Sequence, residues 1–120
     1  MLSLEAVMML PILALLAMVL METAVVIRDV LVVHEAARAG ARAAATTSGA
    51  DPVIAAARHA APELAIEVVV SPEVRGDGDI AEVIVTARRH IGPMPHRIEA
   101  RSVALVEPAV GTTARHGAPP

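Results

Sequence analysis

The chain has 120 residues, enough for one domain at most. It is 55% hydrophobic, yet it contains no Phe, Trp, Tyr or Cys, and all ten of its basic residues are Arg. A net charge of -3 and the missing aromatics argue against a nucleic-acid binder, which needs a basic surface or base-stacking platforms. The missing Cys excludes a disulfide framework, a thiolate nucleophile and a Cys-ligated metal. An extracytoplasmic location stays open, because a Cys-free chain suits any redox compartment.

The first element is a long helix. Ala6 to Met21 is an unbroken apolar run, extended to Ile27 with only Glu22 and Thr23 as interruptions. Residues 6–27 would form a helix of about 33 Å, the hydrocarbon thickness of a bilayer. A cleaved secretory signal would need a basic start and a shorter apolar core. Met1 to Glu5 holds no base and one acid. A retained membrane helix is therefore expected, ahead of a signal peptide or a buried soluble helix. Pro11 sits inside the run; it removes one helix hydrogen bond and favours a kink, which membrane helices tolerate well.

From Arg28 the pattern turns amphipathic. Val30, Val33, Ala37, Ala41 and Ala44 recur at three- and four-residue steps, with Arg28, Glu35, Arg38 and Arg42 on another face. Glu35 and Arg38 are spaced to pair. Ala36 to Ala45 is rich in strong helix formers, and Thr46 to Gly49 end it. One helix over residues 1–46 results, greasy all round in its first half. Ala36, Gly40 and Ala44 form a small-residue seam suited to close helix approach.

Residues 47–108 read as a small cap. Asp51 is placed as an N-cap with Pro52 in the first turn of a short helix running to Ala61. Leu64, Ile66, Val68 and Val70 alternate as a strand. Pro72 to Asp79 is a turn on composition. Ile80 to Arg88 is a second strand, with Ala81, Val83, Val85 and Ala87 on one face. Gly92-Pro93-Met94-Pro95 breaks it, and Arg97 to Val106 forms a third. Residues 109–120 read as a flexible tail. The fold class is α+β: a long N-terminal helix, then a short helix and a three-stranded antiparallel sheet. So small a cap is marginal alone and should lean on the long helix or another subunit.

No catalytic constellation appears, so no enzyme and no cofactor are expected. His34, His59, His90, His96 and His116 form no metal-ligand spacing. The serines lack a nucleophile elbow. Arg75-Gly76-Asp77 is a tripeptide that recurs by chance. Asp77, Asp79, Glu73 and Glu82 offer oxygen ligands for calcium, but not at EF-hand spacing. A membrane-anchored binding module with this acidic hairpin as its site is the alternative reading.

Two acids stand out by position. Glu5 lies at the edge of the apolar run and Glu22 within it. A carboxylate in hydrocarbon is expensive and usually partnered. For Glu5 the choice is between a polar flank at the membrane boundary and a counter-charge to another chain's α-amino group. For Glu22 the plain reading is snorkelling to the interface.

These residues resemble the TadE-like proteins, minor pilin or pseudopilin components of tight-adherence (Flp-type) pilus systems. The resemblance lies in the acid at the fifth position, the Leu10-Pro11 pair early in the run and Glu22 near its far end. It continues through Ala36-Ala37-Arg38-Ala39-Gly40-Ala41-Arg42, the strand AEVIVTA and the final RIEARSVALVEP. It implies a non-enzymatic subunit with an extracytoplasmic cap. Its expected partners are other pilins, the membrane assembly platform, membrane lipid and, during maturation, a prepilin peptidase; nucleic acid is not among them. The sequence departs from the family in starting at Met1 without the short basic leader that the peptidase removes. With Met1 as the mature N-terminus, Glu5 stands at the family position, and Met1, Glu5 and Glu22 are the expected subunit-contact residues.

Overall fold

The computed structural model describes residues 3–108, so Met1 and the expected tail lie outside the described residues. From Ser3 the chain enters α1, Leu4–Thr46, a single helix that runs through Pro11. Its 43 residues make a rod of about 64 Å. Then come α2 (Asp51–Ala60), β1 (Ile66–Ser71), β2 (Ile80–Ile91) and β3 (Met94–Leu105). The strands form one antiparallel sheet in the order β1-β2-β3. This is the α+β arrangement expected from the sequence.

The second half of α1 is not a stalk beneath the cap; it is part of the cap's core. Val33, Ala36, Ala37, Ala41 and Ala44 pack with Val53 and Ala57 of α2 and with Ala81, Val83, Val85 and Ala87 of β2. The side chains are small because the elements approach closely. At Gly40 a Cβ would stand 2.9 Å from Val83 Cγ1, 3.5 Å from Val53 Cγ1 and 3.6 Å from the Ala57 Cβ. No residue but Gly leaves room for three elements to meet there. The register follows the alternation in the sequence: Val68 pairs with Val85, and Val85 with Ala100.

Several boundaries differ from expectation. Asp51 is the first residue of α2, not its cap; Ala50 precedes the helix with helical backbone angles and no side-chain cap is made. Asp51 still sits in the first turn, where its charge suits the helix dipole. Leu64 belongs to a turn before β1. β2 runs on to Ile91 and β3 begins at Met94, each three residues beyond the expected limit. The reason is Gly92, whose φ of +58° closes a two-residue turn and lets Ile91 pair with Met94. Pro95 is accommodated because β3 is an edge strand. Glu35 pairs with Arg42 at 2.9 Å, one turn beyond Arg38.

The far end of the cap is tied by backbone. The Glu107 N–H donates to the Ala45 carbonyl, one of the last carbonyls of α1, at 2.9 Å. Arg75, read in the sequence as a plain turn residue, is buried. Its guanidinium donates to the carbonyls of Thr47 at 2.9 Å, Gly49 at 2.8 Å and Pro72 at 3.3 Å. It clasps the β1–β2 connection onto the α1–α2 loop.

Candidate functional site: an exposed apolar helix and its junction with the cap

The first half of α1 touches almost nothing in its own chain. Leu4 is 79% exposed and Met21 74%, and the large apolar side chains between them are exposed as well. None of the most apolar 18-residue window of α1 is buried. A water-soluble monomer does not display so large a continuous apolar surface. The helix is long and apolar enough to cross a membrane.

Glu5 lies in the first turn of α1 and is exposed. Its charge favours the helix N-terminus, where backbone N–H groups are unpartnered. Ser3, the cap residue, makes no side-chain bond to them. Glu22 is also exposed. The two acids are 17 positions apart, about 26 Å along the rod, so they bracket the apolar run and do not converge. Met1 lies outside the described residues.

Ala36, Gly40 and Ala44 are buried within this chain, against α2 and β2. The seam serves approach of the cap's own elements and is not a face open to another subunit. Its occupants are α2 and the sheet, and the Val83–Val53 pair that fills it at Gly40 is distant in sequence.

The junction holds a residue that sequence reasoning passed over. Asp29 is buried on α1, and its Oδ2 faces Arg89 Nε of β2 at 3.1 Å. The N–H is not aimed along that vector, so Oδ2 accepts no aligned hydrogen bond. The pair fastens the turn end of the β2–β3 hairpin to the helix by charge. Asp29 lies within the apolar-to-amphipathic transition, three residues after Val26 begins to be covered; that position was the available signal. Beside it, Arg28 and Glu63 pair at 2.7 Å on the exposed surface.

The acidic β1–β2 connection gathers no ion site. Asp79 Oδ2 accepts from the Gly76 N–H at 2.7 Å, which closes the turn on itself. Among the described residues no group of three His, Cys, Asp or Glu side chains is placed to hold a metal. The sheet's outer face, by contrast, leaves Val69, Ile80, Val103 and Leu105 more than half exposed. No protein-family model matches the chain, and neither curated proteins nor solved structures gave a match.

Proposed function

We propose that this protein is a non-enzymatic, TadE-like minor pilin subunit that acts in assembly of a tight-adherence pilus. It sits in the bacterial cytoplasmic membrane as a single-pass protein with its cap outside. The observation that carries the reading is the shape of α1: one helix, bare and apolar in its first half, and built into a small α/β cap in its second half. Such a helix has two environments available to it. In the membrane its bare half is covered by lipid; in an assembly the same surface is covered by the helices of other pilins. Moving between them costs little, because lipid tails and apolar side chains are alike as solvents.

Glu5 gives that exchange a direction. A carboxylate at the edge of hydrocarbon favours a cationic partner. The α-amino group of a neighbouring subunit is a cation delivered at the right depth. Membrane lipid, other pilins, the assembly platform and a prepilin peptidase are the partners of this reading.

Deleting the gene in its source bacterium and complementing it tests the function. Surface filaments seen by electron microscopy should be lost on deletion and restored by the wild-type chain. Normal filaments in the deletion strain would refute a role in assembly.

A further inference from the structure

The β2–β3 hairpin does not point away from the apolar helix; its tip lies alongside it. Ile91 and Gly92 share a cleft of about 370 Å³ with Met18, Met21, Glu22 and Val25. That depth matters if α1 crosses a bilayer. Counted from Ala6, about 30 Å of hydrocarbon is used up near Val25. The hairpin tip therefore reaches the lipid side of that boundary.

The hairpin's sequence is graded in the same direction. Its end, Ile91 to Pro95, carries no charge, and Met94 is 65% exposed. Pro93 and Pro95 bring no N–H that would have to be desolvated. Behind the tip the basic residues gather: Arg88 pairs across the strands with Arg97, and Arg89 with His96. From Val83 to Ile98 there is no acid. Arg89 is held by Asp29. The Arg97–Glu99 contact, 3.2 Å long, is solvent-exposed on both sides and so is weak. Arg88 is exposed and forms no ion pair among the described residues. An apolar end with a ring of cations behind it is the arrangement by which amphipathic segments seat in the headgroup layer.

We infer that the tip of the β2–β3 hairpin is a second membrane contact, seated in the phospholipid interface. Ile91 and Met94 enter the boundary between headgroups and acyl chains. Arg88 and Arg97 hold lipid phosphates. The contact sets the cap's tilt on the membrane and fixes how far α1 is withdrawn. It rests on the membrane-spanning reading of α1 and is independent of pilus assembly.

The aromatic-free chain makes a single tryptophan an unambiguous reporter. The full-length protein is reconstituted into phosphatidylethanolamine–phosphatidylglycerol vesicles containing lipids brominated along the acyl chain. Three variants are compared: Leu13→Trp in the span, Met94→Trp at the tip, and Val103→Trp, about 30 Å further along β3. Leu13→Trp and Met94→Trp should both be blue-shifted and quenched several-fold more than Val103→Trp. Changing Arg88 and Arg97 together to Glu in the Met94→Trp background should reduce its quenching. A quenched Leu13→Trp beside a Met94→Trp no more quenched than Val103→Trp overturns the inference while leaving the span intact. An unquenched Leu13→Trp removes the span and the tip contact together. Quenching of Met94→Trp that is unchanged by the two Glu substitutions reports tryptophan partitioning alone, and also overturns it.

Discussion

At Gly40 the fold depends on a missing atom. Val83 is fully buried and held by its neighbours in the core, so it cannot swing aside for a side chain placed 2.9 Å away. Gly40→Leu should therefore abolish cooperative melting of the cap, whereas His34→Leu, on the exposed side of the same helix, should leave the melting temperature nearly unchanged. Circular dichroism on the detergent-solubilised protein reads both. Val85 makes the same point with charge. It is fully buried, and an aspartate there would be desolvated without a partner, at a cost of several kcal/mol against a total stability of about 5–15 kcal/mol. Val85→Asp should make the cap protease-sensitive. Glu82→Lys, on the outer face beside Arg101 at 3.0 Å, should stay resistant, since the exchange of a surface ion pair for a solvent-screened like-charge contact costs about 1 kcal/mol or less. Equal resistance of the two would contradict the strand register. Arg75 is the third such position. Arg75→Lys should destabilise nearly as much as Arg75→Ala, by about 1–3 kcal/mol, because a point charge cannot span the carbonyls of Thr47, Gly49 and Pro72.

The elements were largely legible because each carries one clear period. α1 shows an all-apolar run and then a three-and-four pattern; Ala81, Val83, Val85 and Ala87 alternate and are all buried. What was not legible depends on contacts between distant residues. Nothing local marks Arg75 as a buried clasp, since two of its three acceptors, Thr47 and Gly49, lie more than 25 positions away. At the hairpin end Gly and Pro signal a break on composition; only the pairing of Ile91 with Met94 shows them making a tight turn. The Ala36–Gly40–Ala44 seam was identified as a close-approach surface, but its occupant comes from α2 and β2. The candidate surface on the first half of α1 needed no tertiary information: 22 residues from Ala6 to Ile27 with one charge among them already define it. If that segment spans the membrane, a reporter enzyme fused after Pro108 should be active only when it requires the extracytoplasmic side. Activity of a cytoplasm-dependent reporter at the same site would reverse the orientation.

As a whole, the molecule is a rod, bare and apolar in one half and built into a small cap in the other. The cap's stability is built from small side chains around residues 33–44 of the rod, so the cap and the helix move as one piece near the junction. The bare half contributes nothing to that core, which in the proposed function leaves it free to exchange lipid for protein neighbours. Glu5 is where the exchange should be felt. Glu5 is exposed on its own chain, and in the proposed assembly its contact lies between chains, so its removal should spare folding and membrane insertion while weakening association. The most direct measurement is co-purification of a partner pilin with wild-type and Glu5→Ala protein from membranes holding equal amounts of each. The account predicts equal insertion, an equally protease-resistant cap, and a sharp drop in the pilin recovered with Glu5→Ala. Recovery of as much pilin with Glu5→Ala as with wild type would contradict it, and would leave Glu5 as a membrane-edge residue at a helix N-terminus.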